Sequence, residues 1–530
     1  MDRGRWRWIV LIAVLLLTAT VRYRLLDVPL ERDEGEYAYA GQLILQGVPP
    51  YESVYNMKLP GIYAAYAVIL WLFGESPAGV HLGLLLANAT AIVLVFLLGE
   101  RLAGSAAGCV AAASFALMSV SASVQGVFAN AEHFVLVPAL AGLLLFLIAL
   151  DRERAWLLFG SGVFLGTAFI VKQPGAAFAA VAVVYLFVVD LGVRPIDFPR
   201  FLRRAASLVT GLLVPPAVTV VALIITGVFE RFRFWAIEYA GAYATQVPLS
   251  AARELLRFRG LEIVSAAPLL WLLVLGGLVA TVADRRRSSR PLFVGLLVVF
   301  SAVAVSVGLY FRPHYFVLAL PAAAVLAGVS FAAIEDRVPN RSRGWQRFVA
   351  VALVAVVFGV SVFQQRALLF VWSPAEVSRA VFAYNPFPES IVVGDYLREH
   401  SDPGDTVAVL GSEPQIYFYS RRRSATGYIY AYPWMEDQPF ALEMQEEAIR
   451  DIEKARPRFI VYVRVEPSWQ QRGSSPTRIF EWLAQYQRGS YTVVGLVEMP
   501  DEGPRYHWAP KVPWPPKSPR WISVMERRPE

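Results

Sequence analysis

Long apolar runs separated by short, mostly basic loops fill residues 8–363, and the pattern changes beyond that point. A helix needs about 20 apolar residues to cross a hydrocarbon core. Runs of that order cover 8–26, 80–98, 103–122, 133–150, 156–171, 174–191, 206–226, 263–283, 291–310, 313–333 and 346–363. This predicts a polytopic α-helical membrane protein of about eleven spans. One further apolar stretch, 59–73, is short, opens Leu59-Pro60-Gly61 and is closed by Gly74.

Parity decides how that stretch is read. If it does not cross, the loops carrying Arg101, Arg152 and Arg154, Arg194 to Arg204, Arg285 to Arg290 and Arg337 to Arg347 all share the side of Arg3, Arg5 and Arg7. That is the positive-inside arrangement, and a crossing would reverse it for every later loop. Residues 59–73 are therefore expected to form an interfacial or re-entrant helix. Residues 229–262 fall outside by the same count yet hold Arg231, Arg233, Arg253, Arg257 and Arg259. Amphipathic helices facing lipid phosphates would accommodate them. At the start, Arg3, Arg5 and Arg7 precede Trp8 to Val21 as in a signal peptide, but Arg22-Tyr23-Arg24 stands where a cleavage pattern would. A retained signal anchor with a cytoplasmic amino terminus is expected.

Two domains are expected, a transmembrane domain over 1–363 and an extracytoplasmic soluble α/β domain over 364–530. In the second, strands are predicted at 406–411, 424–430, 459–463, 491–497 and 521–526, and helices at 389–400, 437–455 and 477–486. The proline-rich 500–519 reads as an extended strap. Neither an internal repeat nor a phosphate-cradling glycine loop is visible.

Composition agrees with the pattern: 56% of the 530 residues are hydrophobic and 17% charged, with a mean hydropathy of +0.47. The net charge of +7 does not point to nucleic acid, because the arginines sit in short loops where they set topology. The one cysteine, Cys109, lies in an apolar run, which rules out an intrachain disulfide and a thiol metal site. The five histidines have no zinc-ligand spacing.

Candidate chemistry gathers on the outer face. Asp33, Glu34 and Glu36 follow the first span, and Glu132 opens a later one. Carboxylates beside apolar spans are costly to desolvate and usually mark function. Asp33 also suits the cap of a helix over 34–46, with Glu36 completing a capping box and Gly47 ending it. Glu132 suits the helix dipole equally well. Lys58 and Lys172 each stand before a Pro-Gly pair at a helix start, where a cation is disfavoured unless an anion is near, and Arg312 with His314 adds a third cationic site. Taken singly, each of these cations reads as a snorkelling anchor. Together they suit sugar transfer from a lipid-linked phosphate, a carboxylate taking the acceptor's proton while cations neutralise the departing phosphate.

These residues resemble the GT-C superfamily of polyprenyl-phosphate-sugar-dependent glycosyltransferases. The chain is similar to protein O-mannosyltransferases, the lipid A aminoarabinose transferase and lipopolysaccharide-core galacturonic acid transferases. The resemblance rests on Asp33-Glu34 with Tyr37, on Gly47-Val-Pro-Pro-Tyr51 leading to Lys58-Leu-Pro60, on Glu132, on Lys172-Gln173-Pro174, and on His314-Tyr315 with Leu320-Pro321. It implies inverting transfer on the outer face of the cytoplasmic membrane, with Asp33 as general base and Glu34 and Glu132 as further catalytic candidates. Tyr37, Lys58, Lys172, Gln173, Arg312, His314 and Tyr315 would bind substrate. The implied partners are a polyprenyl-phosphate-sugar donor, a hydroxyl acceptor of the cell envelope and membrane lipid. The second acidic position of the family is often aspartate, so Glu132 departs from its pattern. Asp33, Glu34 and Glu132 could hold a divalent cation, but the chain lacks the Asp-x-Asp pairs of the metal-dependent oligosaccharyltransferases, and no metal is expected to be required. A transporter or flippase for lipid-linked sugars is the competing class; its usual marks, internal repeats and ionisable residues at mid-membrane, are not seen.

Overall fold

A computed structural model describes residues 4–192, 195–284, 289–337 and 343–529. Arg194, Arg285, Arg286, Arg287 and Arg341 of the predicted basic loops lie outside these residues. The amino-terminal half runs through α1 (Trp6–Arg24), α2 (Arg32–Leu45), α3 (Pro60–Phe73), α4 (Pro77–Ala103), α5 (Ser105–Met118), α6 (Ala131–Arg152), α7 (Ala155–Val171), α8 (Ala176–Leu191) and α9 (Phe198–Ile225). Apolar helices follow at Pro268–Ala283, Arg290–Ser306, Leu320–Arg337 and Arg343–Gln364. Each predicted span overlaps a helix, but those predicted at 103–122, 156–171, 291–310 and 346–363 meet shorter apolar helices, α5 being no longer than α3.

Among the described residues, six helices are long and apolar enough to cross a membrane unaided, or up to seven if the bent pair Leu249–Ala266 and Pro268–Ala283 is one span. The pair is bent by 107°, so Pro268–Ala283 alone carries the run predicted at 263–283. The chain is a multi-pass membrane protein, and its lipid-facing surface is visible on α9, where Leu213, Val218 and Ile225 are 58%, 63% and 79% exposed. On its inner side α9 lies against α7. A Cβ on Gly211 would come 2.1 Å from the Phe159 oxygen, and one on Gly162 2.2 Å from the Leu208 oxygen. Small residues let the two backbones meet, as apolar helices in lipid require.

At fourteen residues, α3 is too short to span. Its start is pressed against the end of α7: a Cβ on Gly61 would stand 2.4 Å from the Ile170 oxygen. That contact brings the segment before α3 close to the one after α7, and so Lys58 close to Lys172.

The C-terminal domain carries a six-stranded mixed sheet, β1 (Thr406–Leu410), β2 (Arg423–Ser424), β3 (Phe459–Arg464), β4 (Tyr491–Glu498), β5 (Arg505–Trp508) and β6 (Trp521–Arg527). Its order is β2-β1-β3-β6-β4-β5. β1 is parallel to β2 and β3, whereas β6 pairs antiparallel with β3 and β4, and β5 with β4. Helices Phe387–Glu399, Ala441–Ala455 and Arg478–Ser490 accompany the sheet.

Three local expectations are corrected. The strand predicted at 424–430 shrinks to Arg423–Ser424, because beyond it the chain leaves the sheet to pack on the membrane part: Tyr55 N donates to Gly427 O at 2.8 Å. The strap at 500–519 contains an edge strand, β5, paired to β4. The helix predicted from 437 begins at Ala441, after a turn in which Gln438 bonds to Pro433 and Phe440.

The C-terminal domain seats on α2. Arg32 pairs with Glu413 at 2.5 Å, Tyr39 stacks on Tyr417 at 5.2 Å, and Leu30 N donates to the Tyr419 hydroxyl at 2.9 Å. The approach is close enough that a Cβ on Gly35 would lie 2.6 Å from Gln415 N.

Candidate active site

The first turn of α2 sets the site. Glu31, not Asp33, is the N-cap: its carboxylate accepts from Glu34 N at 3.1 Å, and Glu34 accepts from Glu31 N at 2.9 Å. This reciprocal box satisfies the orphan amides. The capping role expected of Asp33 with Glu36 is therefore filled two residues earlier, and Asp33 is free to face a cavity. Its Oδ2 lies 3.2 Å from Lys58 Nζ and 4.0 Å from His314 Nε2, and its Oδ1 accepts from the Tyr430 hydroxyl at 3.0 Å.

Burial pushes the Asp33 carboxyl up, but Lys58 and, farther off, Lys172 and Arg312 outweigh it and hold it well below the usual carboxylate range. The same partnership runs the other way at Lys58, where burial would lower the ammonium and Asp33 and Glu36 raise it. Both groups are charged at neutral pH.

Two cavities meet at Asp33. One is lined by Asp33, Asn56, Lys58, Arg312 and Tyr315 with Tyr239 and Tyr243, and is closed by Tyr430, Tyr432, Pro433 and Glu436 of the C-terminal domain. The other, about 630 Å³, is lined by Asp33, Gln125, Arg312, His314 and Tyr432, and extends past Leu255 and Arg259 to Tyr384 and Arg520. Asp33, Arg312 and Tyr432 border both. Arg312 has Tyr243, not a carboxylate, as its partner: Nη2 donates to the hydroxyl at 3.3 Å. His314 is oriented by Gln125, whose Oε1 is 2.9 Å from Nδ1.

Of the predicted site residues, Asp33, Lys58, Arg312, His314 and Tyr315 come together around these cavities. Five others do not line them. Glu34 is fully buried, with Oε1 3.0 Å from His81 Nε2 and also accepting from Ala129 N. Oε1 thus holds α2 against α4 and the segment before α6, while Oε2 caps α2 itself by accepting from Glu31 N. Glu132 and Lys172 form a buried ion pair, and Lys172 Nζ stands 4.6 Å from the ring centre of Tyr315, which itself lines the smaller cavity. Tyr37 is fully buried beneath Lys58, whose Nζ is 5.4 Å from its ring. Gln173 donates to Met57 O at 3.0 Å and so pins the backbone beside Lys58. None of the five lines the cavities: Glu34, Lys172 and Gln173 are taken up by internal partners, while the Tyr37 hydroxyl and Glu132 Oε2 are buried without a hydrogen-bond partner among the described residues.

Sequence reasoning missed the wall supplied by Tyr430, Tyr432 and Glu436, and it gave Glu36 a capping role where the structure makes it a buttress. Tyr63 donates to Glu36, as does Asn56 at 2.9 Å. Burial pushes the Glu36 carboxyl up to about 7, against the opposing pull of Lys58. The available signal for the wall was the cluster of tyrosines at 428, 430 and 432; of these Tyr430 and Tyr432 line the cavity, whereas Tyr428 packs on Tyr55 and Trp235. Among the described residues, no group of three or more His, Cys, Asp or Glu side chains is placed to hold a metal ion.

Residues 58–219 match the family model for dolichyl-phosphate-mannose-protein mannosyltransferase. Among solved structures, the chain is similar to ArnT from Cupriavidus metallidurans bound to undecaprenyl phosphate, at 17% identity and a TM-score of 0.61 over 98% of each chain. It is also similar to the apo oligosaccharyltransferase of Archaeoglobus fulgidus, at 14% identity and a TM-score of 0.58, over 97% of this chain and 75% of that one. A third likeness is to the mycobacterial arabinofuranosyltransferase AftD, at 16% identity and a TM-score of 0.50, over 99% of this chain and 40% of that one. No curated protein matches the sequence. The chain has the fold of the GT-C glycosyltransferases, the superfamily whose members draw on polyprenyl-phosphate sugars.

Proposed function

We propose that this protein is an inverting membrane glycosyltransferase that moves a sugar from a polyprenyl-phosphate donor to a hydroxyl acceptor of the cell envelope, be it glycolipid, glycan or protein. The observation that carries the reading is Asp33, an ionised carboxylate at the meeting point of two cavities with Lys58 and Arg312 beside it. One cavity accommodates the donor's phosphate and sugar, and the larger one admits the acceptor. The acceptor oxygen attacks the anomeric carbon, its proton passes to the Asp33 carboxylate, and the bond to the phosphate oxygen breaks with its electron pair leaving on polyprenyl phosphate. Attack opposite the leaving group inverts the anomeric centre. A positioned base of this kind contributes about 10² to 10⁴ in rate.

Arg312 has no carboxylate partner among the described residues, which suits it to the donor phosphate. Lys58 shifts part of its charge from Asp33 to the same phosphate, raising the basicity of Asp33 when donor is bound. Positive charge at the leaving group thus comes from side chains, and the reading assigns no metal to the step. The ArnT relative holds undecaprenyl phosphate, which supports a lipid phosphate as the donor's carrier. The reading sets the protein in the cytoplasmic membrane, its amino terminus in the cytoplasm, with 1–363 as the membrane domain and 364–530 as an extracytoplasmic domain. Nucleic acid has no part in it.

The test is purified protein reconstituted with a labelled polyprenyl-phosphate sugar and an envelope extract as acceptor. Expected is transfer of label to an envelope component with stoichiometric release of polyprenyl phosphate. Passage of intact donor across the bilayer without that release overturns the reading in favour of transport.

A further inference from the structure

Glu436 stands on the wall of the smaller cavity with one carboxylate oxygen fixed and the other unengaged. The Tyr239 hydroxyl donates to Oε2, and Gln246 Nε2 lies 3.5 Å from the same atom. Gln246 is held in turn by Arg472, whose Nη2 donates to its Oε1 at 3.0 Å. Glu436 forms no ion pair and no bond through Oε1 among the described residues. The carboxylate is thus oriented by neutral donors, and a lone-pair face is left for whatever fills the cavity.

The rest of that cavity supplies positive charge from Lys58 and Arg312, and tyrosines 239, 243, 430 and 432 lie along the walls. Aromatic faces pack against the apolar C–H face of a pyranose or furanose, and an ionised carboxylate accepts strongly from hydroxyls or an ammonium. A second carboxylate brought against Glu436 would be repelled by it.

On the reading given under Proposed function, we infer that Glu436 recognises the donor sugar by accepting hydrogen bonds from its hydroxyl or amine groups, so that the site takes neutral or amino sugars and turns away uronic acids. The C-terminal domain is then part of the specificity pocket as well as its cover.

The experiment measures binding of three donors that share one polyprenyl phosphate and carry a neutral hexose, an amino sugar or a uronic acid, alongside polyprenyl phosphate with no sugar. The wild-type protein is expected to bind a neutral or amino-sugar donor more tightly than the uronic donor. Glu436→Gln should weaken the favoured donor about tenfold to a hundredfold, the scale of a hydrogen bond to a charged group, while leaving the bare lipid phosphate at wild-type affinity and narrowing the gap to the uronic donor. If Glu436→Gln does not fold, Glu436→Asp keeps the charge on a shorter arm and should preserve the order of preference with weaker binding. Equal binding of neutral and uronic donors by the wild type, or an unchanged preference in Glu436→Gln, overturns the inference. Failure of all four lipids to bind would instead strike at the glycosyltransferase reading itself.

Discussion

The Tyr430 hydroxyl donates to Asp33 Oδ1 at 3.0 Å across 397 positions of sequence, so the carboxylate proposed as base is oriented by the C-terminal domain. Lys58 holds the other oxygen, and between them the two donors fix the plane of the carboxylate. Tyr430→Phe should keep the ring packing and lose the bond. We expect kcat to fall about tenfold, as for loss of one hydrogen bond to a charged group, with little change in donor KM. The acid limb of the pH profile should move to higher pH, because a donor that favours the ionised form has been removed. Steady-state kinetics against pH check both.

Glu34 is predicted to act on folding. Its carboxylate serves the capping box, His81 and Ala129 N together, and Glu34→Ala leaves those donors unpaired in the interior. The cost should be about 3 kcal/mol or more, read as a lowered unfolding temperature in detergent. Activity per folded molecule should stay well above that of an Asp33 variant.

Docking of the C-terminal domain on α2 is tested by Gly35→Ala. The added Cβ meets Gln415 backbone at 2.6 Å, a contact that neither chain can relieve by rotating a side chain. The prediction is faster proteolytic release of the C-terminal domain, together with lost activity because Asp33 is two residues away. Gly4→Ala, with nothing within 4 Å, is the matched control.

Glu36 gives a pH signature. Burial pushes its carboxyl from an ordinary value near 4.5 up to about 7. Between those values the unfolded chain has released the proton and the folded chain keeps it, so stability is complete below about 4.5 and falls as pH rises through about 7. The loss amounts to roughly 3 kcal/mol. Glu36→Gln should flatten this decline in thermal unfolding measured from pH 5 to 8.

The membrane half was legible in the sequence because a lipid-spanning helix is written as a continuous apolar run, and each predicted run overlaps a helix. The first turn of α2 was misread by two positions: Asp33 with Glu36 and Glu31 with Glu34 both fit a capping box, and the choice falls on Glu31 because its partner Glu34 also finds His81 and Ala129. Asp33, Lys58, Arg312 and His314 were marked by charge at span ends, and Tyr315 by the family resemblance; the structure brings the five around the same cavities. Lys172 and Glu132 carry the same signal yet pair with each other, a mutual neutralisation that one-dimensional spacing does not record. Tyr430 was missed because its segment, read as strand, leaves the sheet to meet α2, and Glu436 because it lies in the connection before the predicted helix and docks on the segment 229–248; such long-range docking leaves no periodic mark.

The central claim is that Asp33 takes the acceptor's proton, and single-turnover transfer from a labelled polyprenyl-phosphate sugar by Asp33→Asn tests it most directly. The variant keeps the shape of the side chain and should bind polyprenyl phosphate, while its transfer rate falls by about 10² to 10⁴. Transfer by Asp33→Asn at the wild-type rate would contradict the account.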